Sequence, residues 1–218
     1  MKRSTIIKLA AIVSGLSGLT ILVSTIWPIV EYQLTDSRAY TTLLSPLAND
    51  NNGSNKNADF TKASNWFPEA NKNIQAVDSK VNFYTVSIPK LRIDKAVVAI
   101  GGEDLSKNLV QYPGTALPGK NGNAVIFGHS ILPIFYNPKN YTAIFSTLPT
   151  LKTGDDIFVE YDGVSYKFIV EELFEIYPTD IQILEQNPSD SFLTLVTCVP
   201  PGDPRNPKRL IVRARVTS

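Results

Sequence analysis

The sequence predicts an all-β extracytoplasmic domain, a closed or nearly closed barrel with few short helices, preceded by one N-terminal transmembrane helix. Three observations carry this. From Val81 onward, short runs rich in Val, Ile, Phe, Tyr and Thr alternate with Gly, Pro and Asn punctuation. Within that region Asp162-Gly163 stands between two β-rich runs, a strong hairpin signal. At the other end of the chain, Lys2, Arg3 and Lys8 precede an uncharged run from Leu9 to Val30.

Taken in order, the apolar run comes first. Leu9 to Trp27 is 19 residues, about 28 Å as a helix and close to the thickness of a hydrocarbon core. Trp27 and Tyr32 sit where interfacial aromatics lie, and the basic residues on the N-terminal side put residues 1–8 in the cytoplasm. A cleaved signal peptide is the competing reading. Its apolar region runs about 7–15 residues before a small-x-small site, so the length favours an uncleaved anchor covering residues 1–30. Residues 31–80 read as a linker or stalk. The polar run Asn49 to Asn57 cannot bury a core, and Trp66-Phe67-Pro68 is read as part of the same spacer, with no docking place assigned.

The barrel domain is expected over residues 81–218. Phe83–Ile88 reads as a strand that Pro89 interrupts, and Ala96–Ile100 as a second, stopped by Gly101-Gly102. Ala124–His129 is an apolar run ending in a polar group, as in a buried central strand. Asp156–Tyr161 and Val164–Val170 flank the hairpin turn; Ser191–Cys198 and Arg209–Val216 are the last two strands. Leu105–Val110 and Tyr141–Leu148 are read as short helices.

Composition excludes several function classes. The chain has 218 residues, 21 Lys+Arg against 20 Asp+Glu, so no basic surface for nucleic acid is implied. One Cys and one His make a zinc site improbable. They also leave a single possible Cys–His pair, Cys198 and His129. Each closes an apolar strand where a loop opens: Val199-Pro200-Pro201-Gly202 follows Cys198, and Gly128 precedes His129. In the strand from Arg209, a period of two puts Leu210, Val212, Ala214 and Val216 on the core face and Arg209 on the other. A thiolate is the nucleophile, an imidazolium stabilises it and protonates a leaving amine, and a guanidinium steadies an oxyanion. Together they supply acyl transfer through a thioester. Singly, each has a structural reading: a buried thiol, a core imidazole, a surface ion pair.

The arrangement resembles the sortase family. The matching pieces are Asn123-Ala124-Val125-Ile126-Phe127-Gly128-His129-Ser130, Thr194-Leu195-Val196-Thr197-Cys198 and Arg209-Leu210-Ile211-Val212, with Tyr112-Pro113-Gly114-Thr115-Ala116 upstream. The resemblance covers about Phe83 to Val216. It implies an eight-stranded barrel and a membrane-anchored cysteine transpeptidase of the cell surface, catalytic domain outside. Such an enzyme cleaves an LPXTG-like sorting signal near the C-terminus of secreted proteins. Carried over, Cys198 is the nucleophile, His129 the acid/base and Arg209 the contact to oxyanion and substrate. Ala116, Thr194 and Thr197 line the groove. The partners implied are proteins bearing the signal and an amine acceptor, from a peptidoglycan precursor or a pilin lysine. Arg205 competes with Arg209, which is preferred because it opens the strand. Some sortases bind calcium through acidic loop residues, for which Glu103, Asp104, Glu171 and Glu172 are candidates. Exposed acids are ordinarily just solvated, so no metal and no cofactor is expected. The His-before-Cys order disfavours papain-like enzymes, and the wide spacing of the pair disfavours L,D-transpeptidases. A non-catalytic β-barrel binding domain is the alternative from another class, and it predicts an unreactive thiol.

Overall fold

The computed structural model describes residues 3–32, 34, 41–42, 59, 61–67, 70, 79, 81–203 and 208–217. The polar run 49–57 and Arg205 lie outside them.

The chain opens with helix α1, Arg3–Glu31. Its stretch Ile7–Glu31 is 25 residues long, apolar enough to cross a membrane and uncovered by the rest of the molecule. A two-residue strand β1, Thr41–Thr42, follows. The barrel is built from β2 (Phe83–Ile88), β3 (Ile93–Ile100), β4 (Leu109–Gln111), β5 (Gly122–Phe127), β6 (Asp156–Tyr161), β7 (Val164–Ile176), β8 (Ser191–Val199) and β9 (Lys208–Val216).

Neighbouring strands run in the order β7-β6-β2-β3-β4-β5-β8-β9, and β9 returns to pair with β7, so eight strands close into a barrel. β7 makes closure possible through its length. Its first half pairs with β6 and its second half with β9, across an irregularity between Val170 and Glu172. The edge of β7 that β6 does not reach carries β1, paired in parallel at Phe174 and Glu175.

Seven strands fall where alternation and punctuation put them. The turn between β6 and β7 has positive φ at both Asp162 (49°) and Gly163 (76°), as a two-residue hairpin turn requires. The eighth strand is β4, inside the segment Leu105–Val110 read as a helix. Residues 105–108 are turns and the strand starts at Leu109. Tyr141–Leu148 is likewise no α-helix. It is a run of turns closed by bonds such as Ala143 N–H to the Asn140 carbonyl (2.9 Å) and Ser146 N–H to Ala143 (3.0 Å), leading into a 3-10 turn at Leu148–Thr150. Asn140 and Pro149 bracket too short a segment for a regular helix to propagate.

Alternation sorts the side chains into two apolar bodies. Val86, Ile126, Phe168, Leu195, Leu210 and Val212 fill the barrel. A second cluster lies on its outside, where Val125, Phe127, Val196 and Ile211 meet Trp66 and Phe67 from the linker. The linker is therefore not a free spacer at this point: Trp66 and Phe67 are fully buried.

Candidate active site

The site stands on the outer face of three adjacent strands. β5 and β8 run parallel and in register, Val125 beside Thr194 and Phe127 beside Val196. Continued by two residues, that register sets His129 level with Cys198. The ladder is extended there by hydrogen bonds rather than by strand: Gly128 N–H donates to the Val196 carbonyl (3.1 Å), and the Thr197 hydroxyl to the Gly128 carbonyl (2.8 Å). The Ser130 hydroxyl donates to the Cys198 carbonyl (2.6 Å). Gly128 is required by close approach, since a Cβ there would stand 2.4 Å from the Phe145 ring. On the other side, β8 and β9 are antiparallel and Cys198 faces Arg209 directly. The Arg209 Nη1 lies 3.5 Å from the Cys198 Sγ.

Thus the structure brings Cys198, His129 and Arg209 to one end of one face. Ile126, Leu195 and Leu210 turn inward, while Phe127, Val196 and Ile211 turn outward. Period two then sends His129, Cys198 and Arg209 outward. Arg209 has no exposed surface, whereas Cys198 and His129 are half-buried.

Trp66 is the group that sequence reasoning left unplaced. Its ring stacks on Phe127 (centroids 5.3 Å apart) and meets His129 edge-on (5.9 Å). The Arg209 guanidinium lies over it at 5.1 Å, and Arg209 Nη2 donates to its carbonyl (3.4 Å). The indole is wedged between two of the three candidate groups. Its segment is strapped down by backbone bonds from Ala63 N–H to the Glu103 carbonyl (3.0 Å) and from Leu105 N–H to the Thr61 carbonyl (2.9 Å), with the Ser64 hydroxyl bonded to the Glu103 carboxylate. An isolated aromatic pair in a polar stretch has no periodicity to betray such docking.

Burial sets the electrostatics. It pushes the Cys198 thiol above its ordinary 9.0, and the neighbouring Arg209 charge only partly offsets this. It pushes the His129 imidazole below its ordinary 6.5, against the pull of Asp59 and Asp104. Burial also pushes the Arg209 guanidinium down, with Cys198 opposing. His129 Nε2 has no hydrogen-bond partner among the described residues.

The other expected groove residues lie further off. Thr194 is on the same outer face, four residues before Cys198, but it is buried and its hydroxyl bonds Asn123 Oδ1 (2.7 Å). Thr197 alternates to the opposite face from Cys198, and its hydroxyl is engaged with Gly128. Ala116 is half-buried beside the start of β5, its N–H donating to the Asn123 carbonyl (3.2 Å) and to Gln186 Oε1 (3.1 Å). It stands about 20 Å along the strand from the His129 end. The acids weighed for calcium have other partners: Asp104 with Lys107, Glu171 with Arg215, Glu172 with Arg213, and Glu103 with Ser64.

The family model "Sortase domain" matches residues 86–217. Sortase A of Streptococcus agalactiae is 24% identical over 132 residues, covering 60% of this chain and 51% of that protein. Sortase A of Bacillus anthracis is 28% identical over 140 residues, covering 63% and 60%. The match therefore spans less than two thirds of either relative. Among solved structures, a pilus-related sortase C of Group B Streptococcus superposes with a TM-score of 0.55 at 25% identity, covering 70% of this chain and 78% of that one. A lid mutant of sortase A from Corynebacterium diphtheriae gives 0.54 at 24% identity, covering 87% and 92%.

Proposed function

The chain belongs to the sortase family, and from that premise we propose that it is a membrane-anchored cysteine transpeptidase that cleaves an LPXTG-like sorting signal at Cys198 and passes the acyl group to an amine. The observation that carries this reading is the Arg209 guanidinium 3.5 Å from the Cys198 sulfur, with His129 level with both on the same face.

The roles follow from the chemistry of the groups. The Cys198 thiolate attacks the Thr carbonyl of the signal, forming a C–S bond, and the carbonyl oxygen takes the negative charge. Arg209 donates to that oxyanion. On collapse the C–N bond to Gly breaks, His129 protonates the departing amine, and a thioester remains. An incoming amine, from a cell-wall precursor or a pilin lysine, gives its proton to His129 and displaces the sulfur. Thr194 and Thr197 serve this by holding β5 against β8. Four extended residues span about 13 Å, the distance along β8 from Thr194 to Cys198, so a signal peptide laid on this face reaches from one to the other. Trp66 and such a peptide compete for the same space, which makes the Trp66 segment a lid. With α1 as anchor, the basic start of the chain is cytoplasmic and the barrel is outside the cell.

The test is incubation of the full chain with LPXTG-like peptides and trapping of the acyl-enzyme. A thioester on Cys198 is the expected product. Cys198→Ala should form none, and His129→Ala should slow turnover by about 100-fold or more. Absence of any thioester from a folded protein would instead favour a non-catalytic binding domain.

A further inference from the structure

Glu175 is a carboxylate with 1% of its surface exposed, on the barrel strand next to the catalytic row, and the chemistry above makes no use of it. Among the described residues it has two partners. Tyr32, the residue that follows α1, donates its hydroxyl to Glu175 Oε1 at 2.6 Å, and Lys208 Nζ lies 2.8 Å from Oε2. Tyr32 is itself buried, at 4% exposure. Ten residues further on, β1 lies along the same edge, with Thr42 level with Glu175. Two separate points of the segment after the anchor are therefore held on the end of β7.

Those contacts fix a height. Tyr32 directly follows the membrane-crossing stretch Ile7–Glu31. The interfacial layer outside the hydrocarbon core is only about 5–8 Å thick on each side, so Tyr32 and the carboxylate it binds stand within or just above it. Ile176, Arg209 and Cys198 form one row across β7, β9 and β8. At about 4.8 Å per strand, Cys198 is roughly 10 Å from Ile176. The loop leaving β7 adds groups suited to a headgroup layer. Ile181 is 40% exposed, and Tyr177 carries the Lys208 ammonium 5.8 Å from its ring centre. Amphipathic aromatics and cations with apolar stems favour that layer.

We infer that the segment after the anchor does not hold the barrel away on a free stalk but docks its Glu175 end onto the membrane surface, with the lipid headgroup layer as the partner and the reacting sulfur beside it. The substrate and acceptor that reach Cys198 are then ones presented at the bilayer surface. This rests on α1 being membrane-inserted, and the experiment separates the two.

The full chain with Cys198→Ala is reconstituted in phosphatidylglycerol/phosphatidylcholine vesicles, with a single donor dye at Thr179→Cys or Val164→Cys. Both positions are exposed, one just beyond the Glu175 end of β7 and the other at its far end. Co-flotation is scored first, then energy transfer to headgroup-labelled lipid. The expected result is flotation with transfer several-fold stronger from residue 179 than from residue 164. Adding Tyr32→Phe with Glu175→Gln should pull the two values together. Flotation with equal transfer from both positions would overturn the docking and leave the anchor standing; failure to float would remove both. If the paired substitution unfolds the barrel, Tyr32→Phe alone supplies the comparison.

Discussion

Burial acts on Cys198 and His129 in opposite directions, raising one and lowering the other. At neutral pH most molecules then carry a neutral thiol and a neutral imidazole. The reactive thiolate–imidazolium form is a minority whose share is constant between the two pKa values. Below the His129 value the share rises with pH, and above the Cys198 value it falls. A profile of kcat/KM against pH should therefore show an acid limb below 6.5 and an alkaline limb above 9.0. Limbs lying inside that interval would contradict the burial described. Arg209 permits a second residue-scale prediction. Its planar fork lies over Trp66 and reaches Sγ and two carbonyl oxygens at once. A lysine keeps the charge but not the fork. Arg209→Lys and Arg209→Ala should each lose about 100-fold in kcat in steady-state assays with the cleavable peptide.

At the scale of elements, the segment 61–67 covers the outer face on which His129 and Arg209 lie. The indole screens both His129 and Arg209 from water, so Trp66→Ala should speed alkylation of Cys198 by about 10-fold or more, read by mass spectrometry. It should also move both limbs of the pH profile inward, because desolvation is their principal cause. Unchanged alkylation would mean that the thiol is reached by another path. Seven of the eight barrel strands were legible because β-rich runs such as Phe83–Ile88, stopped by Pro89, and Asp156–Tyr161, stopped by Asp162-Gly163, stand between punctuating residues. β4 was not, since all three of its residues are buried and it offers no alternation. The meeting of Cys198, His129 and Arg209 on one face was legible because each closes or opens an apolar run. The docking of Trp66 and the pairing of Glu175 were not. Each residue has a partner 143 residues away in sequence, Arg209 for Trp66 and Tyr32 for Glu175, and no period announces either.

For the whole molecule, two apolar bodies share one wall, and the linker supplies the outer cover. A fragment of residues 81–218 keeps the barrel strands but strips Trp66 and Phe67 from the outside. Burying side chains of that size contributes about 2–3 kcal/mol each, largely offset by the entropy of ordering the segment. A net loss of about 1–2 kcal/mol is expected, a fall in Tm of roughly 3–6 °C relative to a fragment that begins at residue 59. Calorimetry, with a hydrophobic dye to report the uncovered face, measures it; equal midpoints and equal dye binding would count against the linker's part in stability.

The parallel pairing of β5 with β8 also bears on biosynthesis. A parallel neighbour cannot be reached by a tight turn, and the ladder that brings the imidazole level with the sulfur joins β5 to β8, segments distant in sequence, while β9 follows β8 directly. While the polypeptide is still emerging, its lone thiol is chemically ordinary. The guanidinium arrives beside that sulfur only when β9 closes the cylinder, so the assembled row and the finished barrel appear together.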